Sequence, residues 1–332
     1  MSLASTDIAK EEIQAFATRV KEIRDRLHET VVGQDETIDL LLTCALTGSH
    51  ALLVGVPGLA KTLMVKALAA AFHWKFSRIQ FTPDLMPSDI TGYELLGKSS
   101  EDGSPQLTFR PGPVFSNLVL ADEINRAAPK TQSALLEAMA ERHVTVGGQT
   151  HHLEEPFVVV ATQNPIEQEG TYPLPEAQLD RFMMEIRIGY PKPEQEKEIV
   201  MKTSGATPAL PAAAFDRETF LQLRNLVWSV PIPENVAEFA VQLCGATRPD
   251  EPTAKQFAKD YVAWGAGPRG AQSLVTAAKA GALLKGRTAP TVADIRDVAV
   301  PVLRHRVVVN HRAIGDGVTT ETVIKNLLKE LG

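Results

Sequence analysis

Residues 55–62, Gly-Val-Pro-Gly-Leu-Ala-Lys-Thr, have the types and order that could bind a chain of phosphates. They lie between an apolar run at 51–54 and helix-forming residues at 63–70. A phosphate-binding loop occupies this strand–loop–helix context, because backbone N–H groups and the helix N-terminus together offer an anion site. There Lys61 can reach the terminal phosphates and the Thr62 hydroxyl can ligate magnesium. The loop therefore predicts binding of a nucleoside triphosphate.

One position departs from the P-loop pattern Gly-x-x-x-x-Gly-Lys-[Ser/Thr], because Ala60 stands where the pattern has glycine. Alanine adopts helical backbone angles readily but tolerates a positive φ poorly. The motif therefore predicts that the chain is already entering the helix at residue 60. A Gly/Pro turn that happens to end in Lys-Thr is the alternative interpretation.

Two adjacent acids follow a second apolar run. Residues 118–123 read Leu-Val-Leu-Ala-Asp-Glu, and the run has the length of a buried strand. In a P-loop enzyme the first acid holds magnesium, directly or through water, and Asp122 takes that role. Glu123 can polarise the water that attacks the γ-phosphate. Solvated carboxylates at a strand end are the alternative, which the upstream loop disfavours.

A third apolar run ends in an amide. Residues 157–162 read Phe-Val-Val-Val-Ala-Thr, and Gln163, Asn164 and Pro165 follow. The carboxyl end of a parallel strand faces the side of an open α/β sheet on which ligands bind. Asn164 is therefore a candidate for orienting the attacking water or sensing the γ-phosphate. Pro165 fixes the chain's exit from the strand.

These motifs resemble those of the AAA+ ATPases, most closely the MoxR family. The Ala60 form of the loop is similar to one that MoxR proteins use, and the order of the blocks is more specific than any one of them. The matching blocks cover nearly the whole chain and are Val-Val-Gly-Gln at 31–34, Gly-Val-Pro-Gly-Leu-Ala-Lys-Thr at 55–62, Ala-Asp-Glu-Ile-Asn-Arg-Ala at 121–127, Ala-Thr-Gln-Asn-Pro at 161–165, Leu-Pro-Glu-Ala-Gln-Leu-Asp-Arg-Phe at 174–182 and Gly-Pro-Arg-Gly at 267–270.

The resemblance implies an α/β fold of the helix-2-insert clade. The expected architecture is a P-loop AAA+ core with a parallel sheet flanked by helices, followed by a smaller all-helical lid domain. It also implies that Val32, Gly33 and Gln34 lie against the adenine. The full set expected to contact the nucleotide is Val32, Gly33, Gln34, Val56, Pro57, Gly58, Leu59, Ala60, Lys61, Thr62 and Leu63.

Two arginines gain a role only through the resemblance. Arg181 would be the arginine finger that reaches a neighbouring subunit's γ-phosphate, Asn164 would be sensor 1, and Arg269 would be sensor 2. A guanidinium supplied in trans stabilises charge on the phosphoryl oxygens, so the enzyme would be competent only as an oligomer. A surface ion pair for Arg181 and a helix cap for Arg269 are the alternatives. Arg126 is a further candidate for a trans contact.

The implied function is ATP hydrolysis in a ring, expected to be a hexamer, with ATP and Mg²⁺ bound. Hydrolysis would drive remodelling, assembly or cofactor insertion of a partner protein, together with a co-chaperone that carries a von Willebrand factor A domain. A nucleic-acid motor would need basic, aromatic pore hairpins, and the candidates near 98–102 and 147–149 lack both. A metal-chelatase-type nucleotide switch is the other alternative, and intact Glu123, Asn164 and Arg181 favour turnover.

Composition fits this interpretation. The net charge of −6, from 34 basic and 40 acidic residues, disfavours a general nucleic-acid binder. Cys44 and Cys244 sit in apolar contexts and predict buried thiols in a reducing compartment. The N-terminus lacks the features of a secretory signal, and no apolar stretch reaches the ~18 residues that a membrane span needs, so a cytoplasmic location is expected. The histidines show no metal-ligand spacing, and no metal beyond magnesium is expected.

The chain divides into two expected domains. Residues 1–190 would form the nucleotide-binding domain with an amphipathic helix at 8–29, residues 191–214 a proline-rich linker, and residues 215–332 the lid. Periodicity and caps predict lid helices at 217–230, 233–247, 253–265, 269–285 and 291–304.

Two segments of the first domain are typical of hairpins. Residues 82–113 have the Pro/Gly density of turns, and Asp102-Gly103 fits a hairpin tip. Gly147-Gly148 joins alternating runs at 143–146 and 149–153. In the resembled clade both segments face the ring pore and could contact a substrate. Surface decorations that only brace the subunits are the alternative.

Overall fold

The computed structural model of the protein describes residues 10–98, 105–166, 170–205, 209–213 and 216–332. No helix in this described part is long and apolar enough to cross a membrane. The helices are α1 (Lys10–Thr30), α2 (Asp35–Leu46), α3 (Lys61–Ala71), α4 (Pro87–Thr91), α5 (Pro129–Glu141), α6 (Glu176–Leu179), α7 (Pro193–Thr203), α8 (Arg217–Ser229), α9 (Glu234–Ala246), α10 (Gln256–Tyr261), α11 (Pro268–Leu284), α12 (Val292–Leu303), α13 (His311–Gly315) and α14 (Thr320–Glu330). The strands are β1 (Ala51–Val54), β2 (Phe76–Gln80), β3 (Gly92–Lys98), β4 (Pro105–Pro111), β5 (Leu118–Asp122), β6 (His143–Val146), β7 (Gln149–His152), β8 (Val158–Gln163), β9 (Met184–Arg187), β10 (Val262–Trp264) and β11 (Val308–Val309).

Five parallel strands form the central sheet in the order β2-β5-β8-β1-β9. β5 is buried along its whole length, as expected when helices cover both faces of a parallel sheet. Because parallel strands end at the same edge, the register places Gln80 beside Asp122 and Val54 beside Gln163. Ligands bind at this carboxyl edge in open α/β sheets. The predicted α/β fold class is confirmed.

The N-terminal helix α1 is amphipathic, as its sequence pattern predicted. Ile13, Phe16, Val20, Ile23 and Leu27 recur at three- and four-residue steps and are all buried. The helix packs against α3 next to the P-loop and against α11 in the C-terminal part of the chain. One continuous apolar core therefore joins the two parts.

The C-terminal part is built mainly of helices, but one of its predicted helices is wrong in extent. Periodicity predicted a helix over 253–265, whereas α10 ends at Tyr261. The next residues, Val262–Trp264, form β10 and pair antiparallel with β11. A Cβ on Gly265 would lie 2.5 Å from the Thr247 carbonyl oxygen, so the chain runs close against a neighbouring backbone there. The residues of β10 could continue a helix or form a strand. Pairing with β11, which is distant in sequence, selects the strand.

Both predicted hairpins form. β3 pairs antiparallel with β4, and the expected tip at Asp102-Gly103 lies outside the described residues. β6 pairs antiparallel with β7, and Gly147 and Gly148 form the turn between them. Their φ angles of +57° and +79° suit a tight hairpin turn. The Phe109 ring of β4 stacks on the His151 ring of β7 with centroids 3.8 Å apart. The two hairpins therefore contact each other on one side of the molecule.

Cys44 and Cys244 are free and buried, as predicted. Burial raises the pKa of the Cys244 thiol to about 11 and raises that of Cys44 as well. Both side chains stay as neutral thiols at physiological pH and have the character of inert core residues.

His50, the residue before β1, is buried and neutral. Its Nδ1 accepts the Val159 N–H at 3.0 Å, so Nε2 carries the proton and faces the Met139 carbonyl at 3.3 Å. Burial lowers the pKa of His50 to about 3, and the nearby Arg142 guanidinium acts in the same direction. An unfolded histidine titrates near 6.5, so the unfolded chain binds one more proton between these pH values.

We expect the free energy of unfolding to fall as the pH drops from about 6.5 toward 3. The contribution of His50 is up to about 1.4 kcal/mol per pH unit, because the folded chain excludes a proton that the unfolded chain binds. Urea unfolding at pH 7.5 and pH 5.0 measures the effect. His50→Gln lacks the titrating group and should depend less on pH; an equal dependence in both proteins would contradict the assignment.

Candidate active site

The loop between β1 and α3 turns through two residues with positive φ. Gly58 has φ +85°, and Ala60, directly before α3, has φ +56° and ψ +20°. The prediction that residue 60 already has helical backbone angles is therefore wrong, because Ala60 occupies the left-handed region. This conformation costs an alanine roughly 1 kcal/mol. Such strain persists where the surrounding structure fixes the backbone, as it does at ligand sites.

The loop borders a cavity of about 440 Å³. Residues 57–63 form one wall, Asp122 and Glu123 come from the end of β5, and Thr162 and Asn164 come from the end of β8. The carboxyl edge of the sheet positions all four of these polar side chains. The structure thus brings the predicted loop, acids and amide into one place.

Lys61 is the first residue of α3 and folds back over the loop. Its Nζ donates to the carbonyl of Gly55 and, at 3.0 Å, to that of Val56. Burial lowers the pKa of Lys61, while the carboxylates of Asp122 and Glu123 act in the opposite direction. Lys61 and the two acids border the same cavity.

The Thr162 hydroxyl bridges the two acids. It donates to Asp122 Oδ1 at 2.6 Å and accepts the backbone N–H of Glu123 at 2.8 Å. On the other side, Arg78 Nε and Nη2 donate to Asp122 Oδ2 at 3.0 and 2.6 Å. Asp122 is 8% exposed, so these partners compensate much of the cost of burying its charge. Both acids therefore have fixed positions.

Glu123 has φ +56°, which turns its side chain out of the strand line. Gln80 Nε2 and Arg126 Nη1 both donate to Glu123 Oε2 at 3.0 Å. Arg126 was predicted as a candidate for a contact in trans, and in this structure it pairs with Glu123 of its own chain. Its role toward a neighbour stays a prediction.

Sequence reasoning missed Arg78, Gln80 and Thr162. A signal was present in the alternation of polar side chains at 78 and 80, which places both on one face of β2. Only the register, with Gln80 beside Asp122, shows that this face meets the acids.

Asn164 borders the cavity, and one of its side-chain donors has no partner among the described residues. Its Oδ1 accepts the N–H of Ile166 at 3.1 Å, which fixes the orientation of the amide. Its Nδ2 is buried, and no described residue accepts its hydrogens. A buried donor without a partner carries a desolvation cost of about 1–3 kcal/mol, which an anionic ligand or an oriented water would relieve.

A second, more apolar cavity of about 750 Å³ adjoins the first through Gly58, Leu59, Ala60 and Leu63. Val32 and Gln34 line it, and their contact with the adenine stays a prediction. Gly33 lies between them at φ +76°, where a Cβ would meet the Gln195 side chain at 2.9 Å. Further walls come from the end of α1 and from α7 and the segment after it, which includes Leu210 and Pro211.

Arg181 and Arg269 lie together in a different cavity of about 370 Å³. Arg181 Nη1 donates to the Leu136 carbonyl, and Arg269 Nη1 is 3.8 Å from Asp180 Oδ2. Neither arginine borders the phosphate cavity or the apolar cavity beside it. The structure therefore separates the two predicted arginines from the loop of their own chain.

Comparison with known proteins identifies both parts of the chain. The family described as ATPases associated with various cellular activities (AAA) matches residues 50–184, and the AAA lid domain matches residues 254–327. Chaperone MoxR1 of Mycobacterium tuberculosis is 44% identical over 90% of this chain and 78% of its own length. The chain belongs to the MoxR family of AAA+ ATPases.

Two further relatives agree with this membership. Protein MoxR of Paracoccus denitrificans is 31% identical over 89% of this chain and 90% of its own length. A crystal structure of a protein from Cytophaga hutchinsonii, assigned as an ATPase, superposes with a TM-score of 0.88 at 41% identity and covers 97% of each chain. A MoxR-family AAA+ protein binds nucleotide and hydrolyses ATP, so this chain is an ATPase.

The two adjoining cavities fit the substrate and metal of a MoxR-family ATPase. The Thr62 hydroxyl and the Asp122 carboxylate would supply the hard oxygen ligands that Mg²⁺ prefers. Lys61 and Asn164 would supply donors to the phosphates. The apolar cavity beside Val32 supplies a place for the base.

We expect Thr162→Val to lower the ATPase kcat by roughly 10-fold or more. Valine has nearly the same shape but leaves Asp122 Oδ1 and the Glu123 N–H without their shared partner, so both acids lose their fixed positions. Steady-state kinetics measures the loss. Thr162→Ser keeps the hydroxyl and is the matched control; a valine variant as active as the serine variant would show that the bridge does not position the acids.

Proposed function

We propose that this MoxR-family ATPase works as a homo-oligomeric ring, a hexamer, in which each ATP is hydrolysed between two subunits. One observation supports this above all. The loop and both acids share one cavity, while Arg181 and Arg269 open into another cavity of the same chain. If Arg181 stabilises charge on a γ-phosphate, that phosphate then belongs to a neighbouring subunit.

Within each subunit, the residues of the phosphate cavity divide the work. Lys61 binds the terminal phosphates, and Thr62 and Asp122 hold Mg²⁺, which neutralises phosphate charge when it is bound. Glu123 polarises the attacking water and takes its proton. Asn164 donates from Nδ2 to the γ-phosphate or orients the water.

Around these residues, the loop backbone and the apolar cavity hold the rest of the nucleotide. Val56, Pro57, Gly58, Leu59 and Ala60 wrap the phosphates with backbone N–H groups. The base lies in the apolar cavity against Leu63, Val32 and Gln34. Gly33, with its positive φ, permits the turn between Val32 and Gln34.

The neighbour's part of the site is a basic surface. Arg181 and Arg269 lie beside each other there, and the Trp228 indole next to them is 59% exposed. This surface is complementary in charge to a cavity that holds Asp122, Glu123 and a triphosphate. Packing of one face against the other completes each site.

We infer the domain limits 1–190, 191–214 and 215–332 for the nucleotide-binding domain, linker and lid. Arg269 lies in the first turn of α11 in the lid, whereas Arg181 lies in the first domain. The two arginines therefore come from different domains, and the contact between the lid and the first domain determines how they are presented together to the neighbour.

The work performed is chaperone-like remodelling, assembly or cofactor insertion of a client protein. A relative that carries the name chaperone supports this, as does the hairpin formed by β3 and β4. Leu96 and Leu107 face each other across that hairpin and are 73% and 59% exposed. Exposed apolar side chains of this kind suit contacts with protein segments. The family resemblance adds a co-chaperone with a von Willebrand factor A domain.

A shared site predicts that activity depends on assembly. We expect the ATPase activity per subunit to rise with protein concentration and to level off where the ring is fully formed, because isolated subunits lack the guanidinium in trans. Mass photometry in ATP gives the oligomeric state over the same concentrations. An activity per subunit that is constant across the monomer-to-ring transition would contradict a shared site.

A further inference from the structure

Arg306, which follows α12, holds the chain segment around Arg181. Its side chain is 2% exposed, and Nε donates to Asp180 Oδ1 at 2.7 Å. Nη2 donates to the carbonyls of Phe182 at 2.7 Å and Asp180 at 3.2 Å, and Nη1 donates to the Met183 carbonyl at 3.0 Å. One guanidinium from the C-terminal part thus binds the residues on both sides of Arg181.

The same guanidinium also contacts its own part of the chain. Nη1 donates to the Val302 carbonyl in α12, and Nη2 donates to Ser273 Oγ in α11 at 3.3 Å. The neighbouring His305 adds a hydrogen bond between Nε2 and the Phe182 carbonyl at 2.9 Å. Arg306 therefore links the segment after Arg181 to both α11 and α12.

Asp180 connects this contact to the second arginine. Its Oδ1 accepts from buried Arg306, while its Oδ2 is 3.8 Å from Arg269 Nη1. The carboxylate therefore lies between the two guanidiniums of the C-terminal part and is the residue next to Arg181. Burial lowers the pKa of Arg306, and the Asp180 carboxylate opposes this shift by stabilising the cation.

An ion pair that only joins the two domains does not need to lie next to Arg181. Arg187 of β9 and Glu321 of α14 form another ion pair between the two parts, at 3.0 Å, and that pair lies outside the segment of Arg181. A group that stabilises a transition state must be held within a fraction of an ångström, since a 1 Å error costs about 100-fold in rate. The buried contact between Arg306 and Asp180 lies next to Arg181, where the position of a side chain would affect the rate.

We propose that Asp180 and Arg306 are positioning residues that hold Arg181 and Arg269 as one unit facing the neighbouring subunit. The proposal rests on the proposed role of these arginines in trans. Under this proposal the lid moves together with the residues around Arg181. The guanidiniums of Arg181 and Arg269 then reach or leave the neighbour's phosphates in one step.

Asp180→Asn tests the proposal, because it keeps the size of the side chain and removes the charge. We expect kcat to fall at least about 10-fold while the Kd for a fluorescent ATP analogue stays within about twofold, since the variant's own phosphate cavity is intact. Arg187→Gln is the control, because it breaks the ion pair with Glu321 between the same two parts and leaves the Glu321 pair with Arg304, close to Arg306, in place; it should leave kcat unchanged. Equal losses in both variants would overturn the proposal, as would wild-type kcat in Asp180→Asn.

Mixing separates a positioning defect from a folding defect. Asp180→Asn subunits mixed with Glu123→Gln subunits can receive intact arginines from their neighbours, so activity should recover several-fold over either variant alone. Absence of recovery from folded protein would overturn the proposal. If Asp180→Asn does not fold, Arg306→Lys decides, because lysine keeps the charge but cannot make the bonds to Phe182 and Met183 together; full kcat there overturns the proposal.

Arg181→Ala distinguishes a failure of the proposed function from a failure of the positioning proposal. Full activity of Arg181→Ala would remove the proposed function and this proposal with it. An inactive Arg181→Ala beside a fully active Asp180→Asn would leave the proposed function intact and remove only the positioning role.

Discussion

Glu123→Gln is expected to lower the ATPase kcat by about 10²–10⁴-fold while ATP still binds, because glutamine keeps the shape of the side chain but cannot take a proton from the attacking water. The two hydrogen bonds to Glu123 Oε2 and the backbone bond to Thr162 fix where this carboxylate lies. Binding should survive because the loop, Lys61 and Asp122 are unchanged. Steady-state hydrolysis and equilibrium binding of a fluorescent ATP analogue measure the two effects.

Lys61→Ala is the matched control for this prediction. It removes the cation that binds the terminal phosphates, so it should lose nucleotide binding as well as hydrolysis. With ATP present, Glu123→Gln should retain a client in pull-downs from native lysate, and Lys61→Ala should not. Hydrolysis at the wild-type rate in Glu123→Gln would show that another group activates the water.

The sequence motifs predicted which residues form the phosphate cavity, because each motif is contiguous and ends a strand of the same sheet. Asp122 and Asn164 follow two apolar runs, and parallel strands bring such ends to one edge. The partners that hold the acids could not be predicted in this way. Arg78 and Thr162 meet Asp122 only through the register of three strands, which a single sequence does not determine.

Two other features depend on forces that local patterns do not contain. Ala60 was expected to have helical angles because alanine prefers them, but the loop imposes a left-handed conformation at a modest cost. The placement of Arg181 and Arg269 on one cavity depends on how the C-terminal helices pack on the first domain. That packing follows from the continuous core and from buried Arg306, whose partners Asp180 and Phe182 are more than 100 residues away in sequence.

Arg181→Ala should abolish most hydrolysis in the assembled protein and leave ATP binding unchanged. A finger supplied in trans is worth about 10³–10⁵ in kcat, because it neutralises charge that develops on the phosphoryl oxygens. Arg181 borders neither cavity of its own chain's nucleotide site, so the loss of binding that follows from Lys61→Ala is not expected here. Kinetics and binding on the same preparations, with the oligomeric state checked in ATP, measure the separation.

Mixing tests the geometry directly. Arg181→Ala subunits retain Glu123, and Glu123→Gln subunits retain Arg181, so a ring that contains both has interfaces with every required group. Activity should therefore reappear when two nearly inactive proteins are combined, and it should be highest near equal amounts because that ratio maximises mixed interfaces. A finger that acted on its own chain's nucleotide would give no recovery at any ratio, since each subunit would still lack one essential side chain.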